Sequence, residues 1–275
     1  MISFEQHINN YFKNVKDCMI KDAMVYAIEG GKHFRPQILF SILQGKGISV
    51  EKGYDAALAL EMIQTYSLIH DDLPAMDNDD MRRGKPSLHK AFREDIAILA
   101  GDELLNDSFG CISESKSYDY ETKINLITCL SKYAGLGGMI YGQLLDVLGD
   151  NTNINEDKLF EIQDNKTGGL FKIACLMAMY ISKEDNYDFY LQLGSKIGQV
   201  FQNQDDLFDL IKSEAELGKT HSDLKNNKGT ALSLHSKEKL EEIIENEYND
   251  IDILLEKADF DTKYLKDLLN KLKSR

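Results

Sequence analysis

Six aspartates in two groups have the types and spacing to do chemistry: Asp71, Asp72 and Asp77, then Asp205, Asp206 and Asp209. Asp71 and Asp77 are six residues apart, about 240° around an ideal helix, so a continuing helix would separate them. Pro74 disfavours helical geometry at Leu73. The helix can therefore end there and Asp77 can fold back towards Asp71. Asp205 and Asp209, four apart, share one helical face with Asp206 beside them. Carboxylates gathered on an apolar helix raise one another's pKa unless a cation joins them. Donor sets made only of oxygen suit a hard cation such as Mg²⁺, which commonly bridges carboxylates to phosphates. Taken singly, the first group also reads as a solvated acidic loop and the second as chance acids on a helix surface. A phosphohydrolase pair at His70-Asp71 would need further histidines, and His7, His33, His89, His221 and His235 form no evident ligand set.

An anionic substrate also requires positive charge, and basic residues stand beside the structural breaks. Lys32 and Arg35 follow Gly30-Gly31, and Arg82, Arg83 and Lys85 follow the first acidic loop. Lys166-Thr167-Gly168-Gly169 interrupts a helical stretch, and Lys219 and Lys228 follow the second acidic group. Arginine suits bidentate phosphate binding, and lysine serves as a mobile point charge. The chain as a whole carries a net charge of -14. It would repel a phosphate backbone, so no nucleic-acid partner is expected.

The elements that must position these groups read as helices. Apolar residues recur at helical spacing in 54–69, 96–109, 123–147, 156–181, 187–211 and 240–272, with no two-residue alternation to suggest a sheet. Val200, Phe201, Leu207, Phe208, Leu210 and Ile211 imply that the second acidic helix is mostly buried, and buried carboxylates need partners. Gly135, Gly137 and Gly138 inside an apparent helix suggest a bend or close packing, and Gln143 and Asp146 beyond them share a face that could line a cavity. No linker or repeat divides the chain, so residues 1–275 read as a single all-α domain. The four cysteines are scattered. A reducing, cytoplasmic setting is expected. Neither a signal-peptide pattern nor a run of apolar residues long enough to span a bilayer is evident, so no stable membrane anchor is expected.

The motifs occur in a recognisable order: Gly30 to Pro36, His70 to Asp77, Asp80 to Pro86, Lys166 to Gly168 and Gln202 to Asp209. From about Ala27 to Thr230 the chain resembles the short-chain trans-isoprenyl diphosphate synthases, in particular the bacterial farnesyl diphosphate synthase type. The resemblance implies a single-domain bundle of long helices around a deep central cavity, with the aspartate motifs on facing walls. It implies that Asp71, Asp77 and Asp205 ligate Mg²⁺, three ions with substrate bound. Asp72, Asp206 and Asp209 complete the motifs, and Lys166 joins them in the catalytic set. Lys32, Arg35, Gln64 and Arg83 match positions that bind isopentenyl diphosphate. Arg82, Lys166, Thr167, Gln202, Lys219 and Lys228 match positions facing the allylic diphosphate. Tyr66 and Ser67, five and four residues before Asp71, match the floor of the tail pocket, where a Tyr ring would stop growth at fifteen carbons. A homodimer is also implied. Three departures stand out: His33 replaces a second basic residue, Gln64 stands where His is common, and the Lys219–Asp223 segment is one residue short.

The expected reaction is magnesium-dependent head-to-tail condensation of isopentenyl diphosphate with dimethylallyl and geranyl diphosphates. Competing readings are a longer product such as geranylgeranyl diphosphate, a terpene cyclase, and an inactive regulatory subunit. A cyclase has no use for the second diphosphate site at Lys32, Arg35 and Arg83, and decay to a regulatory subunit would damage an aspartate motif.

Overall fold

Ala, Leu, Met and Ile dominate the helix α4 (Tyr54–Asp71), and every residue from Ala56 to Ile63 is buried. A helix that is apolar all round belongs at the centre of a bundle. In the computed structural model, which describes residues 2–149, 154–211 and 230–274, it lies there. Preceding it are α1 (Phe4–Asn14), α2 (Met19–Ile28), α3 (Phe34–Gly45) and a short 3₁₀ turn at Val50–Gly53. After it come a minimal hairpin, β1 (Met81–Arg82) paired with β2 (Lys85–Pro86), and the short α5 (Leu88–Ala91). The helices α6 (Glu94–Glu114), α7 (Tyr120–Ala134), α8 (Met139–Leu148), α9 (Glu156–Lys166), α10 (Gly168–Ser182) and α11 (Tyr187–Ile211) follow. Beyond residue 229 are α12 (Ala231–Leu234), α13 (Lys237–Leu255) and α14 (Lys263–Lys273).

Two buried helices organise the packing. The helix α4 lies along α6, and α10, buried from Gly168 to Met179, lies against α11, α3 and α7. The outer helices are amphipathic. In α14, Leu265, Leu268, Leu269 and Leu272 face inward and the helix rests on α3. Local sequence starts several helices: Ser3 and Gln6 form a capping box, and Asp119 and Asn155 accept hydrogen bonds from the amides of Thr122 and Lys158, each at 2.9 Å.

The helical reading holds with three corrections. The stretch 123–147 is two helices, because the chain breaks at Gly135–Gly138, where a side chain on Gly138 would strike the carbonyl oxygen of Tyr133. The 81–86 hairpin adds two residues per strand, too few for alternation to reveal. Leu210 and Ile211, expected inside, are half exposed. Cys111, Cys129 and Cys175 are buried free thiols, pushed up in pKa by burial. No described helix is long and apolar enough to cross a membrane.

Candidate active site

The first acidic group is shaped by the end of α4. The helix stops at Asp71. The Asp77 amide then donates to the Asp71 carbonyl at 2.8 Å, and the amides of Met76 and Asn78 donate to the Leu73 carbonyl at 2.9 and 3.1 Å. The loop thus folds back as Pro74 suggested. One residue step turns a side chain about 100° around a helix, and this separates two neighbouring aspartates. Asp71 lines a large cavity, whereas buried Asp72 turns to Arg82, which donates from Nε at 2.9 Å and Nη2 at 2.5 Å. Arg82 Nη2 also reaches Asp79 at 3.1 Å. Burial pushes the Asp72 carboxyl up to about 6; Arg82 opposes this, and Asp79 and Asp71 reinforce it.

The second wall is α11. Gly198 allows it to approach the start of α10, since a Cβ there would lie 2.6 Å from Gly168 Cα. This close approach brings Gln202 to Thr167, whose hydroxyl donates to Gln202 Oε1 at 2.6 Å. Gln202 Nε2 donates to Asp206 Oδ1 at 2.8 Å, and Asp206 Oδ2 accepts the Ala231 amide at 2.8 Å. Asp206 is buried in this role, while its neighbour Asp205 lines the same cavity as Asp71.

That cavity, about 580 Å³, is of small-molecule size. Nine of the expected site residues line it: Arg35, Gln64, Tyr66, Ser67, Asp71, Lys166, Thr167, Gln202 and Asp205. Its remaining walls are largely apolar, including Leu105, Met139, Ile140, Leu170 and Phe201. Arg35 lies over the Phe171 ring, 4.5 Å from its centroid, and burial lowers its pKa to about 10, so it stays cationic at neutral pH. The Tyr66 hydroxyl is buried without a hydrogen-bond partner, its ring edge-on to His70, and burial pushes its pKa up to about 12. Of the pair Gln143 and Asp146, Gln143 lines the cavity and Asp146 does not, reaching it only through Lys166. Gln143 Nε2 donates to Asp71 Oδ1 at 2.8 Å, and Asp146 Oδ2 pairs with Lys166 Nζ at 2.5 Å.

Other expected residues lie apart. Asp72, Arg82 and Arg83 line a separate, much smaller pocket, and Lys32 is exposed on the loop before α3. Asp77 and Asp209 are half-buried and do not line the large cavity. Lys219 and Lys228 fall outside the described residues. Sequence reading gives Asp79 no role beyond membership of the acidic segment, and it missed Glu61. Glu61 carried a signal, as an acid inside the otherwise apolar stretch 56–63.

Magnesium can be tested against the donor set. Among the described residues no three His, Cys, Asp or Glu side chains converge as a ready-made cage. Mg²⁺ does not need one, because it keeps several waters and takes one or two carboxylates together with substrate phosphates. Asp71 and Asp205, from two helices on one cavity, meet that requirement, and the absence of thiolate and imidazole from the pairing suits a hard ion.

Comparison with known proteins agrees. The farnesyl diphosphate synthase of Micrococcus luteus is 43% identical over 219 residues, covering 78% of this chain and 75% of that one. The geranylgeranyl diphosphate synthase of Cyanophora paradoxa is 36% identical over 232 residues, covering 82% and 77%. A crystal structure of geranyltransferase from Helicobacter pylori, complexed with magnesium and isoprenyl diphosphate, superposes with a TM-score of 0.88 at 29% identity, covering 99% and 96%. The polyprenyl synthetase family model matches residues 17–267, and the chain belongs to that family.

Proposed function

We propose that this chain is a magnesium-dependent farnesyl diphosphate synthase, which condenses isopentenyl diphosphate with dimethylallyl and then geranyl diphosphate. One observation carries the reading: Asp71 and Asp205 share a single cavity with Arg35 and Lys166, and Leu105, Met139, Ile140, Leu170 and Phe201 give the same cavity an apolar wall. Such a cavity suits a diphosphate head and a hydrocarbon tail together. Asp71, Asp77 and Asp205 are the proposed ligands, and bound Mg²⁺ would neutralise the diphosphate and make it a better leaving group.

The chain's own residues account for the rest. Lys166, Thr167, Gln202 and Arg82 hold the allylic diphosphate in this reading, and Asp146 fixes the Lys166 ammonium. Arg35, Gln64, Arg83 and Lys32 receive isopentenyl diphosphate. In the reaction the allylic C–O bond breaks with its electron pair going to diphosphate. The isopentenyl double bond supplies the pair for the new C–C bond, and a proton then passes to the released diphosphate, restoring a double bond. No side-chain nucleophile is required. Phe201, Leu170 and Met139 keep water from the cation, and the fixed polar groups supply positioning and electrostatic stabilisation.

Tyr66 sets the product at fifteen carbons in this reading, because its ring stands buried in the cavity wall where a longer tail would pass. Likeness to a geranylgeranyl diphosphate synthase supports a twenty-carbon product as the second reading. The proposal extends to one domain, a homodimer and a cytoplasmic enzyme. The homodimer draws support from exposed Ile98, Leu99 and Ile124 on α6 and α7. Incubation with isopentenyl diphosphate and either dimethylallyl or geranyl diphosphate, with and without Mg²⁺, tests it. Farnesyl diphosphate formed only with the metal is expected. Failure to consume isopentenyl diphosphate would refute condensation.

A further inference from the structure

Glu61 lies within the wholly buried stretch of α4, only 3% exposed, between Leu60 and Met62. An ionised carboxylate in such a place is tolerable only with partners. One is His33, whose Nδ1 lies 2.9 Å from Glu61 Oε2 and whose backbone takes the left-handed conformation just before α3. The charge of Glu61 also acts on Arg35 and on Arg83, favouring both guanidinium forms where burial opposes them. These two cations come from different elements, and Arg83 stands beside the His33 that holds Glu61: a Cβ on Gly31 would meet His33 Cε1 at 3.2 Å and Arg83 Nη1 at 3.3 Å. Arg35 belongs to α3 and lines the large cavity, and its Nε is buried with no hydrogen-bond acceptor. Arg83 belongs to the hairpin, with its Nη1 donating to the carbonyls of Ala27 at 2.9 Å and Ile28 at 3.3 Å. One turn along α4, Gln64 presents a buried Oε1 that also lacks a partner. The polar groups of this corner are therefore gathered without being fully satisfied.

We propose that Glu61 is a resident counter-ion, a positioning residue that holds His33, Arg35 and Arg83 together while the basic pocket is empty. The proposal rests on the reading of that pocket as a diphosphate site. Two buried guanidiniums repel each other and need an anion in the free protein. A bound diphosphate supplies several negative charges to the same cations, so Glu61 then opposes the ligand it prepared for. Its charge should stabilise the free protein and weaken diphosphate binding. A role in packing alone would lower stability without tightening anything.

The test uses inorganic diphosphate in the presence of a chelator, so that carboxylate-bound metal contributes nothing. Titration calorimetry and thermal melts compare the wild type with Glu61→Gln and Glu61→Asp. Glu61→Gln keeps the size and loses the charge. It should melt below wild type when free, close that gap at saturating diphosphate, and bind diphosphate about tenfold more tightly, the effect of one partly screened charge. Glu61→Asp keeps the charge and should bind within about twofold of wild type. Equal or weaker binding by Glu61→Gln, or a melting gap that diphosphate leaves untouched, would overturn the counter-ion role. Should Glu61→Gln not fold alone, its recovery on refolding in diphosphate supports the proposal and failure to recover overturns it. A wild type that binds no diphosphate without metal removes the pocket itself, and this proposal with it.

Discussion

Replacing Gly142 by Ala adds one methyl group at the contact between α8 and α9. The new Cβ would stand 2.1 Å from the Lys166 amide nitrogen and 2.6 Å from its Cα, against 3.4 Å or more for ordinary contact. Both obstacles are backbone, so the helices must part by roughly 1 Å; no flexible side chain can yield instead. That movement strains two bonds that cross the site from α8: Gln143 to Asp71 at 2.8 Å and Asp146 to Lys166 at 2.5 Å. Overpacking of this kind costs about 1–3 kcal/mol, or roughly 3–10 °C in Tm for a chain of this size. Misplacing catalytic groups by about 1 Å can lower turnover on the order of 100-fold. The matched control is Gly110→Ala on α6, where a Cβ meets nothing within 4 Å. It should leave turnover unchanged and add about 0.4–1 kcal/mol of stability. Product formation and thermal melts of both variants provide the assay. Wild-type turnover and Tm in Gly142→Ala would refute the claim that close approach at α8 and α9 positions Lys166.

Asp71→Ala and Asp205→Ala should each lower turnover on the order of 10²–10³-fold while circular dichroism stays helical; near-normal turnover of both with Mg²⁺ present counts against their role. Tyr66→Ala should shift product chromatography towards chains longer than fifteen carbons, at a stability cost of about 3 kcal/mol, and an unchanged product distribution would reject Tyr66 as the floor. Glu247, bonded by Asn203 at 2.9 Å, is pushed up to about 7 by burial. A raised carboxyl pKa means that the folded state binds the proton more tightly, so this group's contribution to stability is present below its unfolded value near 4.5 and declines as pH rises towards 7. Glu247→Gln should remove that decline and be more stable than wild type at pH 8 by on the order of 2 kcal/mol. Denaturant melts at pH 5 and pH 8 check the sign, and an equal difference at both would exclude it.

Much of the architecture was legible because it rests on local rules. The Pro74 stop and the i,i+4 spacing of Asp205 and Asp209 depend on residues close in the chain. The break at Gly135–Gly138 was visible as a cluster of unfavourable helix residues, but its consequence, two helices in place of one bent one, was not. The amino-acid order thus determined the helical class, the two acidic groups and the basic residues that accompany them. Tertiary structure decided which member of each group faces the cavity. Asp71 and Asp205 do, while Asp72 and Asp206 turn to Arg82 and the Ala231 amide. It also chose the partners Gln143 for Asp71, 72 residues away, and His33 for Glu61. Hydrogen bonds along a helix are fixed within a turn, but the direction in which a side chain points is useful only relative to a neighbouring helix. Packing of remote segments sets that relation, which short-range spacing cannot encode.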